Sequence, residues 1–325
     1  MSVRLNSDYP AQSAEREKWI LSHRPGRNAL DPRRPYAFLV EEECSATGEV
    51  VPVATVFLTN RECPWRCVMC DLWRNTLAET TAAGAIPEQI DYALTQLPSA
   101  RQIKLYNSGS FFDRRAIPFD DYPAIAASVG SFERIIVESH PALIGEVCVR
   151  VRDLLSGRLE VAMGLETVHP QALERMNKRM TLDQFSSSAE FLRSNGIDLR
   201  VFLLVQPPFM ESGESLLWTK RSLDFAFDCG ATAATMILTR AKNGAMEELA
   251  KSGEFTPPRL SVLEAAMNYG IELKKGRVFA DLWEIPDESR GCPACYTARV
   301  ERLQEMNLRQ HILPPVVCVH CEGRN

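Results

Sequence analysis

The chain has 325 residues, 45% of them apolar and 24% charged, with a formal net charge of -5. That length carries one large domain with an appendage, and that apolar share builds its core without covalent staples. The slightly acidic balance supplies no overall basic field to concentrate polyanions, and no run of about eighteen uncharged apolar residues marks a membrane span.

Residues 1–50 are polar and rich in turns. Arg16, Lys18, Arg24, Arg27, Arg33 and Arg34 precede the acidic run Glu41–Glu43. Pro25-Gly26 and Pro32 break any long helix, so this part reads as an extension wrapped on the main domain. Its basic residues read as a salt-bridged, solvated face in preference to a phosphate-binding one. From Val51 onward, short β-branched runs alternate with amphipathic stretches, which is the pattern of a parallel sheet covered by helices. Strands are expected near 52–59, 101–107, 133–138, 158–165, 198–206 and 231–238. Helices are expected near 87–97, 120–129, 141–155, 181–195, 213–229 and 259–274. Six such units predict the α/β class and a partial (β/α)6 TIM-type barrel over 51–285, with its chemistry at the C-terminal ends of the strands. Residues 286–325 form a Cys-rich tail with a short polar helix over 297–307.

Seven of the ten cysteines fall into three tight groups, and the chain opens with no charged-then-apolar secretory segment. This predicts metal binding in a reducing, cytoplasmic setting and not a disulfide framework. Cys44, Cys148 and Cys229 stand apart and read as small buried or idle thiols. The densest group, Cys63, Cys67 and Cys70, follows the first expected strand at C-x3-C-x2-C spacing. Three thiolates in such a loop grip three corners of a cubic iron-sulfur cluster and leave the fourth iron open. The competing reading adds Cys44 to make a four-thiolate zinc site.

The spacing and its place at a strand end resemble the radical S-adenosylmethionine (radical SAM) superfamily. The resemblance implies a 4Fe-4S cluster on Cys63, Cys67 and Cys70 and SAM bound at the open iron, with an external one-electron reductant such as flavodoxin or ferredoxin. It also assigns a SAM site to later strand ends. Asn107-Ser108-Gly109-Ser110 occupies the place of the family's Gly-rich loop, where a glycine lets backbone amides approach the ligand and Ser108 and Ser110 add hydroxyls. Glu138 and Glu166 end the third and fourth strands, where a carboxylate needs a partner. Glu166 is expected to contact the ribose or amino group, and Glu138 either SAM or a neighbouring arginine. Gln206, before Pro207-Pro208, and Arg240, at the sixth strand end, complete the expected cofactor-binding set.

Segments 107–113, 137–141, 164–167, 177–178 and 206–209 together resemble the branch holding the elongator catalytic subunit and the archaeosine-biosynthesis proteins. Two positions depart from its pattern. Met69 stands where an aromatic residue usually packs on the adenine, and Asn177-Lys178-Arg179 replaces Asn-Lys-Gly. The resemblance leaves the substrate between a modified tRNA nucleoside and a small metabolite or natural-product precursor. A non-catalytic zinc scaffold is the competing class, and no catalytic side chain is assigned.

In the tail, Cys292-x2-Cys295 and Cys318-x2-Cys321 lie twenty-two residues apart and predict a second metal centre, 4Fe-4S or Zn, with the balance toward iron-sulfur. His320 is not expected to be a ligand.

Overall fold

In the computed structural model, which describes residues 8–321, eight strands form one curled half-barrel sheet in the order β1 to β8. They are β1 Ala37–Cys44, β2 Val50–Phe57, β3 Gln102–Tyr106, β4 Arg134–Ser139, β5 Arg158–Glu166, β6 Asp198–Val205, β7 Ala233–Leu238 and β8 Arg277–Ala280. Strands β2 to β8 run parallel, and β1 pairs antiparallel with β2 from Ala37↔Phe57 to Cys44↔Val50. All six expected strands are present. The outer ends of the expected 1–50 and 286–325 segments lie outside the described residues.

Two strands escaped the sequence pattern. In β1, Glu41 and Glu43 look like solvated acids but point to one side, where Lys104 of β3 lies 3.1 Å and 2.6 Å from them. The ion pairs disguise the strand, and the boundary expected near residue 50 falls inside the β1–β2 hairpin. Strand β8 has four residues and carries too little alternation to read.

The helices are α1 Ser13–His23, α2 Ala85–Gln96, α3 Tyr122–Ser128, α4 Glu146–Leu154, α5 Pro170–Arg175, α6 Leu182–Ser194, α7 Ser215–Asp228, α8 Ala245–Lys251, α9 Leu260–Leu273 and α10 Tyr296–Arg309. Those expected from periodicity are recovered, with α4 starting later than predicted because His140 caps a separate turn, Pro141–Leu143. Helix α6 starts at the Thr181 hydroxyl, which accepts from Gln184 N.

The apolar core lies between the convex side of the sheet and the helices. On β6, Val201, Leu203 and Val205 are fully buried, while Phe202 and Leu204 face the concave side. Each such side chain contributes about 1.5–3 kcal/mol by burial. The concave floor is ionic. Arg200 lies 2.6 Å from both Glu43 and Glu160, and Glu160 also takes Arg134 at 2.9 Å and Arg277 at 3.1 Å. Burial works against these charges, but the surrounding cations hold Glu160 down at about 2 and Glu43 well below the ordinary carboxylate range.

Helix α10 packs against both edge strands, β1 and β8. Its Gln310 amide accepts from Val278 N (2.7 Å) and donates to Val278 O (2.9 Å), and Asn307 does the same at Ala280 (2.8 and 2.9 Å). Two side-chain amides thus stand in for a ninth strand and cover the open edge.

Candidate functional site

The site is built on the loop that leaves β2. Gln89 of α2 fixes its first residue, accepting from Thr59 N (2.8 Å) and donating to Thr59 O (2.7 Å). Farther along, Val68 N donates to Met176 O (3.0 Å), the Asn177 amide donates to Arg66 O (2.8 Å), and the Asn243 amide donates to Val68 O (2.7 Å) and Cys70 O (2.9 Å). Glu62 gathers Arg24 (2.6 Å), Arg66 (3.1 Å) and Arg27. The loop is therefore tied through its backbone to the loops after β5 and β7 and to the segment after α1. That leaves the cysteine side chains free to point inward.

Cys63, Cys67 and Cys70 line one cavity of about 1050 Å³ at the C-terminal ends of the strands, together with Met69, Glu138 and Glu166. The volume lies at the upper end for a small-molecule site. Burial pushes all three thiols up to about 12. They therefore stay protonated until a bound cation displaces the protons. Three soft donors from one loop, with no fourth thiol beside them in the cavity lining, fit an iron-sulfur cluster that leaves one iron open. Cys44 pairs with Val50 at the start of β2, whereas the triad follows the end of that strand, roughly 20 Å away at about 3.3 Å per residue. The expected alternative of a zinc site joining Cys44 to the loop is thereby overturned.

The expected ligand-binding residues separate into those at the cavity and those behind it. Ser108 and Gly109 line the cavity. A Cβ at Gly109 would stand 3.2 Å from Cys63 Cβ, so the glycine is what lets the two loops touch. Ser108 has φ +52, and its hydroxyl lies 3.2 Å from Tyr36 Oη. Ser110 does not line the cavity; its Oγ accepts from His140 N (2.6 Å). Gln206 is likewise turned away, donating to Met210 O (3.1 Å) inside its own loop. Neither side chain lines the cavity in which its ligand contact was expected.

Glu138 faces the cavity without the arginine considered for it. Its Oε1 accepts from Asn107 N (2.6 Å) and Gly109 N (3.3 Å), holding the 107–110 loop from the next strand. Burial raises it to about 7 against these donors. Glu166 sits at φ +66 after a register shift in β5 and is ion-paired to Lys178 at 2.7 Å. Burial opposes the charge of Lys178, but Glu166 and the nearby thiols keep its pKa raised. Arg240 lines the cavity, 3.9 Å from Asp71 and donating to Trp283 O (3.2 Å).

Several supports carry no direct sign in the sequence. Trp65, between two cysteines, stacks on His140 with ring centroids 3.7 Å apart and planes 12° apart. His140 Nδ1 accepts from Ala142 N (3.1 Å) and Nε2 meets Lys178 O (3.1 Å), a pattern that calls for the neutral ring; burial takes its pKa down to about 3. Only the position of Trp65 inside the cysteine motif could have drawn attention to this stack. Asn243 offers no local signal at all.

The six N-terminal basic residues are largely spent. Arg16 pairs with Glu174, Arg24 and Arg27 with Glu62, and Arg33 and Arg34 with Glu88, as the salt-bridged reading expected.

No family model matches the sequence. An uncharacterised protein of Methanocaldococcus jannaschii is 24% identical over 93% of this chain and 88% of its own length. Archaeosine synthase subunit beta of Methanosarcina acetivorans is 25% identical over 67% of this chain and 66% of its own. The fold is similar to that of the archaeal Elp3 of Methanocaldococcus infernus, with a TM-score of 0.51 and 16% identity over 72% of this chain and 60% of that one. These are the two arms of the branch to which the cysteine loop and strand-end segments pointed. In its cysteine loop and half-barrel fold the chain resembles the radical SAM proteins.

Within this half-barrel the two departures from the resembled pattern resolve locally. Met69 lines the cavity from the position before Cys70 and offers a thioether surface there. Asn177 and Arg179 have φ +59 and +57, so the turn normally made with glycine is kept with arginine. Among the described residues, no helix is long and apolar enough to cross a membrane.

Proposed function

We propose that this radical SAM enzyme holds a 4Fe-4S cluster on Cys63, Cys67 and Cys70, binds SAM in the adjoining cavity and removes a hydrogen atom from a nucleoside of tRNA. The observation that carries the reading is the half-buried, backbone-fixed thiol triad opening on a cavity large enough for SAM and part of a second molecule. When bound, the cluster and SAM supply one-electron cleavage to a 5'-deoxyadenosyl radical.

The chain's own residues do the positioning. Ser108 and Gly109 offer a hydroxyl and a closely approaching backbone to the SAM amino-acid group. Glu138 fixes that loop and faces the ligand with the remainder of its carboxylate. Glu166 with Lys178 presents a matched pair to the ribose or ammonium, and Met69 packs on the adenine. Fixing one C–H bond against one radical carbon is worth orders of magnitude in rate and is the protein's contribution, while the radical chemistry is the cofactor's. A soluble flavodoxin or ferredoxin delivers the electron.

The archaeosine synthase relatives support this choice of substrate class. The consumed N-terminal arginines leave phosphate contacts to other surfaces. Anaerobic reconstitution of the full chain tests the reaction: 5'-deoxyadenosine formed from SAM and dithionite, and lost with the charge-transfer absorbance in Cys63→Ala, supports it. Zinc as the sole metal after anaerobic preparation refutes it. Binding to bulk tRNA with a steep salt slope supports the substrate class, and no binding at low salt transfers the reading to a small metabolite.

A further inference from the structure

The tail cysteines lie outside the cavity and take no part in the reading above. Cys292 and Cys295 precede α10, with Cys295 as its N-cap; Cys318 and Cys321 follow it and return to the same place. Two sets of contacts make that return. Arg302 of α10 donates to Leu313 O (2.7 Å) and Pro314 O (2.8 Å), laying the following segment back along the helix. Each cysteine pair then closes a matching turn, Cys295 N donating to Cys292 O (3.3 Å) and Cys321 N to Cys318 O (2.9 Å).

The sulfurs meet in a tight group. Cys292 Sγ lies 4.0 Å from Cys318 Sγ and Cys295 Sγ lies 3.7 Å from Cys321 Sγ, and all four are within 4.8 Å of one another. A zinc–sulfur bond of about 2.3 Å at tetrahedral angles puts the sulfurs about 3.8 Å apart. A cubic cluster carries its thiolates on four separate irons and spreads them wider. The surroundings also suit a dianionic tetrathiolate. The amino end of the fourteen-residue α10 faces it, and Arg299, paired with Glu264 at 3.0 Å, stands beside Cys295.

We infer that Cys292, Cys295, Cys318 and Cys321 bind one structural zinc ion, against the iron-sulfur centre expected from the sequence, and that this ion clamps α10 in place along the sheet edge. The clamp matters to the cavity because Gln304 and Asn307 of α10 line it, and Asn307 and Gln310 carry the β8 edge. The ion is independent of the radical reading, which concerns only the loop triad.

Metal analysis of the full chain, prepared anaerobically from medium holding both iron and zinc, tests the assignment. In Cys63→Ser/Cys67→Ser/Cys70→Ser, zinc is expected to stay near one per chain while iron disappears. In Cys318→Ser/Cys321→Ser, zinc is expected to disappear while iron stays. X-ray absorption at the zinc edge of the unaltered chain is expected to give a sulfur shell near the distance above, which keeps the test open if a variant fails to fold. Iron with its charge-transfer absorbance in the triple variant, or no metal in the tail, overturns the site. Chelation of zinc from the triple variant is expected to speed amide exchange at 277–281 and 296–310 at least tenfold; unchanged exchange overturns the clamp.

Discussion

Lys178 Nζ stands 2.7 Å from Glu166 Oε1 in space that residue 164 leaves empty. A Cβ on Gly164 would lie 2.2 Å from that carboxylate oxygen and 2.8 Å from the ammonium. The glycine is therefore a condition of the ion pair, and Gly164→Ala is expected to act like a broken pair. Removing one partner of a buried pair costs about 3–5 kcal/mol, because the other charge is left unpaired. Lys178→Met and Glu166→Gln should each lose that order of stability by urea denaturation of the metal-free chain, and the double variant should recover most of it. Additive losses would refute the coupling.

Arg179 holds a left-handed turn, φ +57, where glycine would be free of strain, and its guanidinium reaches Glu17 at an exposed 2.6 Å pair. Arg179→Gly relieves the conformation, gives up unfolded-state restriction and loses a surface pair of little worth, so the terms nearly cancel. It should stay within about 0.5 kcal/mol of the parent, whereas a β-branched Arg179→Val should lose about 1–2 kcal/mol. Thermal unfolding of the two variants checks the contrast.

The barrel was legible because short, largely apolar runs alternate with amphipathic helical stretches, and six of the eight strands fall in that alternation. The cysteine triad was legible because spacing alone carries its chemistry. Strand β1 was hidden by Glu41 and Glu43, whose partner Lys104 lies more than sixty residues away in the chain. The same distance problem hides Asn243, which braces Cys70 from across the barrel. Ser110 and Gln206 sit behind the cavity for a different reason: a polar residue at a strand end has backbone groups to satisfy as well, and both hydrogen-bond to backbone there.

Glu138 gives the metal-free chain a pH signature. Burial raises its pKa from 4.5 to about 7, so the folded state binds this proton more tightly than the unfolded chain does. The associated stability is fully present below about pH 4.5 and is lost as pH rises through 7. Glu138→Gln should remove that slope. Urea midpoints between pH 5 and pH 8 are expected to fall less in the variant than in the parent; an equal fall would place the titration elsewhere.

At the far edge of the sheet, Asn307 satisfies both backbone groups of the buried Ala280, donating to its carbonyl and accepting from its N–H. A leucine there fills similar space and leaves both groups without partners, each costing about 1–3 kcal/mol. Asn307→Asp keeps the acceptor for the N–H and loses only the donor. Amide exchange at Ala280 should therefore accelerate strongly in Asn307→Leu and little in Asn307→Asp, while urea denaturation should rank Asp between Leu and the parent. If both variants exchange alike, the amide is not what covers the strand, and helix packing alone protects the edge.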